Sequence, residues 1–229
     1  MNTNKRTAIL VGALFLISYV GVFAGAALLG PVLDAPDYLS QFHPNKPQVV
    51  AGVLLELVNG IAVLGIAVAM YPLLKQCGEG LALGYVGFRV LECAAQVGMD
   101  MTPLSLLTLS QKYIERKMAD ALQFETLGAM YLAERNAASL MLLVFFVAGA
   151  LVFYYLLYRS QLVPTFISIW GVIGLVLIVA MNILEIKSMI LALPIIGNEL
   201  FLAIWLIVKG FKTAAAVSDP GFRSSALAF

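Results

Sequence analysis

Charge is what this sequence has least of. Asp, Glu, Lys and Arg make up 12% of its 229 residues, where an ordinary soluble domain carries about a quarter. Histidine is almost missing. His43 is the single one, which excludes bis-histidine haem ligation and an HExxH zinc site. Cysteine is scarce as well: Cys77 and Cys93 fall in separate segments without CxxC spacing, and read as small apolar fillers. There is no GxxxxGK[ST] phosphate loop, no GxSxG elbow and no GxGxxG opening a helix after a strand, so the usual nucleotide and hydrolase signatures are absent. The formal net charge of +1 offers no basic footprint for nucleic acid. No metal and no cofactor is expected.

What is present is apolar length. Hydrophobic residues are 62% of the chain and the mean hydropathy is +0.95, too high for a water-facing surface. About twenty apolar residues cross a bilayer. Six stretches meet that length: 7–29, 48–74, 81–108, 129–158, 164–184 and 190–208. The expected fold is all-α, a polytopic six-transmembrane-helix bundle over residues 1–212, followed by a disordered tail over 213–229. The first stretch follows Lys5 and Arg6 but is longer than a signal core and lacks a clear A-x-A site, so it reads as a retained span. Lys and Arg favour the cytoplasmic side of short loops. Lys5, Arg6, Lys75, Arg159, Lys209, Lys212 and Arg223 fall on one side, against Lys46, Lys112, Arg116, Lys117 and Lys187 on the other. That bias places both termini in the cytoplasm. Loop 30–47 then lies outside and should be irregular, with at most a short helical turn. Loop 109–128 alternates charge and apolar residues at helical spacing, as an interfacial helix or an extension of the fourth span would.

The third span, "GFRVLECAAQVGMD", carries charge where lipid should be. On a helix, Glu92, Gln96, Asp100 and Tyr85 all project within about 60° of Arg89. A charge near the bilayer centre costs on the order of 3 kcal/mol, so this stripe is expected to face the bundle interior. Other spans offer partners: Glu56 and Asn59 in the second, Glu134 and Arg135 at the start of the fourth, Asn182 and Glu185 near the end of the fifth, Asn198 and Glu199 in the sixth. The implied depth of Glu56, Asp100 and Glu199 is roughly 10–15 Å below the outer surface, a polar core opening outward. Six acids (Glu56, Glu92, Asp100, Glu134, Glu185, Glu199) face two bases, Arg89 and Arg135. Acids left over should be protonated, wet or holding a cation. The candidate ligand-binding residues are therefore Glu56, Asn59, Arg89, Glu92, Gln96, Asp100, Asn198 and Glu199, with Glu134, Arg135, Asn182 and Glu185 as secondary ones. Against this stands the plainer reading, in which Arg89 pairs with a glutamate and pins the bundle. Glu134 and Arg135, near an interface, fit snorkelling better than chemistry.

Remaining features read as architecture. Gly21 and Gly25 form a GxxxG spacing, and with Gly30, Gly171 and Gly174 allow close helix approach. Trp170, Tyr154, Tyr155 and Tyr158 suit an interfacial aromatic belt. Pro103 and Pro194 lie inside spans, where proline kinks a helix.

The segments "LLGPVLDAPDYL", "LALGYVGFRVLE", "YYLLYRSQLVP" and "ELFLAIWLIVKGF" together resemble a family of small bacterial six-helix membrane proteins, the domain of unknown function DUF4386. The resemblance runs from residue 7 to residue 211, with Glu56, Arg89, Glu92, Arg159, Pro164 and Glu199 inside similar segments. It implies a multi-pass protein of the bacterial inner membrane and no particular activity. Three functions compete: a binding module taking a small molecule, lipid headgroup or cation from the outer side; an intramembrane lipid-modifying enzyme using carboxylate acid–base chemistry; and an accessory subunit whose charges only lock the bundle. No internal repeat supports alternating-access transport. Expected partners are membrane lipids, such a ligand, and a second copy of the chain.

Overall fold

In a computed structural model, residues 3–116, 121–186 and 189–212 are described. They form seven α-helices: α1 Thr3–Leu33, α2 Tyr38–Gln41, α3 Lys46–Leu74, α4 Glu79–Glu115, α5 Ala121–Ser160, α6 Thr165–Ile183 and α7 Leu193–Val208, the last preceded by a 3₁₀ turn, Met189–Ala192. No strand occurs among the described residues. Helices satisfy their own backbone groups, which is the requirement hydrocarbon imposes on a spanning segment.

Five segments are long and apolar enough to cross a membrane: Asn4–Leu33, Lys46–Leu74, Ala121–Ser160, Thr165–Ile183 and Met189–Val208. The charged α4 is not among them. Large apolar side chains on these helices point outward, Val20 and Phe23 on α1, Leu54 and Ile61 on α3, Val176 on α6. An outer surface of this kind suits lipid rather than water, and with the five apolar helices it suggests a membrane protein.

Several expectations from the sequence change in the structure. The irregular stretch over 30–47 is shorter: α1 runs on to Leu33, α2 holds Tyr38–Gln41 and α3 begins at Lys46. Over 109–128 helix is expected, and the described residues there are helical, in the end of α4 up to Glu115 and the start of α5 from Ala121. Pro194 does not kink α7 but occupies its first turn, where its missing N–H is an orphan anyway and its fixed φ suits the helix. Pro103 does sit inside α4. The tail 213–229 and Lys187 lie outside the described residues.

The chain divides into two compact units. The first comprises Met1–Ala13, Val68–Val86 and Gly149–Phe229. Within it, α6 and α7 press together at Gly174, where a Cβ would stand 2.8 Å from the Ile195 backbone. The Phe201 ring packs against Trp170 and Phe166. Gly12 abuts Ala203, at 2.6 Å from a built Cβ to its carbonyl oxygen. Tyr85 stacks on Phe153 at 5.1 Å between centroids.

The second unit comprises Leu14–Ala67 and Gly87–Ala148. The Gly21/Gly25 pair works inside the chain: built Cβ atoms there would stand 2.7 Å from the Leu55 carbonyl oxygen and 2.7 Å from Glu56 Cγ. That places α1 against α3 at Glu56. Farther along, Leu29, Phe42, Val49, Leu106 and Phe124 share one apolar core. The Gln48 amide donates to the Leu28 carbonyl at 2.8 Å, and the His43 backbone N–H donates to Ser110 Oγ at 2.9 Å.

Candidate functional site

The polar stripe of α4 is buried, as the cost of a charge in hydrocarbon requires. Arg89, Glu92, Gln96 and Asp100 all fall below a tenth exposed. At its first end the stripe closes on itself. Arg89 Nη1 donates to Glu92 Oε2 at 2.7 Å, one turn away on the same helix. The Arg89 guanidinium also lies 5.4 Å from the Phe146 ring centroid on α5, a cation–π contact that is stronger when desolvated.

Two turns on, three helices of the second unit meet. Arg135 of α5 reaches Glu56 of α3, its Nη2 donating to Oε2 at 3.2 Å and Oε1 at 3.5 Å. Its Nη1 donates to the Met99 carbonyl at 2.9 Å and stands 4.0 Å from Asp100 Oδ1. Gln96 Nε2 donates to that same Oδ1 at 3.0 Å. The Glu56 carboxyl neighbours the Asp100 carboxyl, close enough for one shared proton to bridge them. Asp100 Oδ2 is buried and takes no hydrogen bond from any other side chain or backbone group. Two carboxyl groups thus share one guanidinium.

Glu56 is 5% exposed and Asp100 2%. Both carboxyl groups are buried, where the sequence suggested a core open or nearly open to the outside. Among the described residues no group of three His, Cys, Asp or Glu could hold a metal ion.

Arg135 departs most from its sequence reading. Its side chain is 13% exposed and turned inward, not snorkelling. The reason lies in the length of α5, which begins at Ala121 and so puts Arg135 about 21 Å along the helix. The sequence pattern allows a helical extension over 109–128 but still places Arg135 at an interface. Glu134 is exposed. Asn59 accepts from Ser18 Oγ at 2.6 Å, a partner on α1 that no polar pattern announced.

Asn198 and Glu199 belong to the first unit. Asn198 is wholly buried. Its Oδ1 accepts from Tyr154 Oη at 2.8 Å and its Nδ2 donates to the Ile167 carbonyl at 2.8 Å, which ties α7 to α5 and α6. Tyr154 is therefore a buried strut and leaves the aromatic belt to Tyr155 and Tyr158, both about half exposed. Glu199 is buried too. Asn182 is exposed and bonds the Ile178 carbonyl of its own helix. Glu185 is exposed in the left-handed turn after α6, with φ 52°.

Two groups outside the spans have shifted acidities. Burial pushes the Tyr38 hydroxyl up, and the nearby Glu125 carboxylate adds to the shift. Burial also pushes the Cys77 thiol up, while the Arg159 guanidinium pulls it down.

A family model described as "Domain of unknown function (DUF4386)" matches residues 10–210. No curated protein matches the chain, nor does any solved structure.

Proposed function

From the premise that this chain belongs to the DUF4386 family, whose description assigns no activity, we propose that it binds a small N–H-bearing cation at the Glu56–Asp100 pair. The observation that carries this reading is Asp100 Oδ2, buried with no hydrogen bond from any other side chain or backbone group beside a second carboxyl group and a single arginine. A buried acceptor left unmade costs about 1–3 kcal/mol. A small ammonium-type cation offsets that cost with an N–H donor and balances the surplus negative charge. The burial of both carboxyl groups argues for a small ion over a lipid headgroup.

The setting proposed with it is a bacterial inner membrane, crossed six times, with both termini cytoplasmic. The sixth span is α4, whose stripe is buried and whose Arg89 has Glu92 as its counter-ion. The cation would enter from the outer side, the side of α2.

The test is calorimetric titration of the purified protein with methylammonium, which has N–H groups, and with tetramethylammonium, which has none. Methylammonium should bind, tetramethylammonium should not, and Asp100→Asn should abolish the methylammonium signal. Equal binding of the two, or binding that survives Asp100→Asn, overturns the proposal.

One observation favours a second reading. The Arg89–Glu92 pair is closed and short, 2.7 Å, which is the geometry of a bundle-locking pair. If Glu56 and Asp100 serve the same end, methylammonium binding is absent and Asp100→Asn changes stability alone.

A further inference from the structure

Away from the carboxylates, the first unit carries an apolar groove of about 400 Å³ between α5 and α6. Its walls include Leu151, Tyr155 and Tyr158 of α5 and Ile169, Val172 and Ile173 of α6. Outward apolar side chains are ordinary on a membrane protein. Two features here are not.

The first is on the α6 side. Ser168 lines the groove and is 2% exposed, and its hydroxyl has no hydrogen-bond partner. A serine in a helix usually bonds back to its own backbone. A buried hydroxyl without a partner is unusual in a native structure, and this one belongs to a residue of the groove's lining.

The second lies just beyond the lining, next in sequence to Tyr158. Arg159 ends α5, with its guanidinium 5.9 Å from the Tyr155 ring centroid. It has no carboxylate within ion-pair distance among the described residues. The Lys212 backbone N–H donates to the Leu162 carbonyl at 2.9 Å, which brings a further basic residue to the loop that follows Arg159. From Arg159 down to Leu151 is about 12 Å along the helix. Ser168 lies about one turn inside α6. The order from Arg159 inward is thus cation, aromatic rings, hydroxyl donor, aliphatic wall. A glycerophospholipid has its phosphate, ester carbonyls and acyl chains in that order.

We propose that the groove between α5 and α6 holds one acyl chain of an anionic phospholipid, whose phosphate pairs with Arg159 and whose ester carbonyl accepts from the Ser168 hydroxyl. Arginine suits the phosphate because its planar fork gives bidentate, charge-assisted bonds. Anionic lipid and a basic helix end attract at the membrane surface. The lipid would lie against the side of Tyr154, which lines the groove while its hydroxyl holds Asn198.

Native mass spectrometry of the delipidated full chain tests this, with phosphatidylglycerol and phosphatidylcholine of identical acyl chains as probes. The wild type should take up one phosphatidylglycerol with a preference of about fivefold or more over phosphatidylcholine. Arg159→Gln should erase the preference and Arg159→Lys should keep part of it. Val172→Trp, which fills the groove from an exposed position, should lower uptake of both lipids while the melting temperature holds. Equal uptake of the two lipids by the wild type overturns the proposal. So does a preference unchanged by Arg159→Gln, or uptake of both lipids unchanged by Val172→Trp.

Discussion

Removing the arginine that three helices share should reveal how the core charges are held. In Arg135→Met an unbranched apolar side chain replaces the stem, and the guanidinium and its charge are gone. Glu56 loses contacts of 3.2 and 3.5 Å, the Met99 carbonyl loses a 2.9 Å donor, and the nearest cation to Asp100 goes as well. Arg135 is 13% exposed and Glu56 7% at the side chain, so solvent does little to replace them. Breaking a buried pair from one side costs about 3–5 kcal/mol, most of it the penalty of a stranded charge. Adding Glu56→Gln removes that charge, so the double variant should lose less than the single one. Adding Asp100→Asn should recover stability as well, because the amide puts a donor where Oδ2 has none. Asp100→Asn alone should be neutral or stabilising by about 1 kcal/mol. The assay is equilibrium unfolding in mixed micelles, followed by circular dichroism. A loss below about 1 kcal/mol for Arg135→Met, the range of an exposed pair, would refute the reasoning. So would strictly additive losses in the double variants, since neighbouring groups in one network couple.

Three further outcomes are expected. Gly21→Ala should lower the melting temperature by the equivalent of about 1–3 kcal/mol, because the new Cβ would meet the Leu55 carbonyl at 2.7 Å and the Asn59 backbone at 3.0 Å; an unchanged melt argues against that α1–α3 contact. Tyr154→Phe should cost about 1–3 kcal/mol in unfolding by leaving buried Asn198 Oδ1 without its donor, and wild-type stability would mean that the strut carries no weight. In a Cys93→Ala background, maleimide should label Cys77 more slowly than a free cysteine at neutral pH and faster as pH rises, since the thiolate is the reactive form and burial raises this thiol. Arg159→Gln should slow labelling further by removing the group that pulls the thiol down; identical rates would contradict that proximity.

Much of this protein was legible without coordinates, because the bilayer is a demanding solvent. Twenty apolar residues in a row have few soluble uses, so the helices, their order and the burial of the α4 stripe followed from composition and period. The glycines at 21 and 25 announced a close approach, though not whether it lay within the chain or between copies. The ends of helices were less legible. α4 runs on to Glu115 and α5 starts at Ala121, beyond the apolar stretches, and the inward turn of Arg135 had no signal in either.

Pairing was decided only by the tertiary structure. Sequence alone determined that Glu56, Arg89, Glu92 and Asp100 could not face lipid, since desolvating a charge is costly whatever the fold. It could not say that Arg89 would take Glu92 on its own helix, leaving Arg135 to serve both Glu56 and Asp100. Nor could it say that Tyr154 would turn inward to Asn198. Those choices rest on which helix faces meet, and that is set by packing between segments distant in sequence, where differences of a few ångströms decide which carboxylate gets the guanidinium and which oxygen goes without.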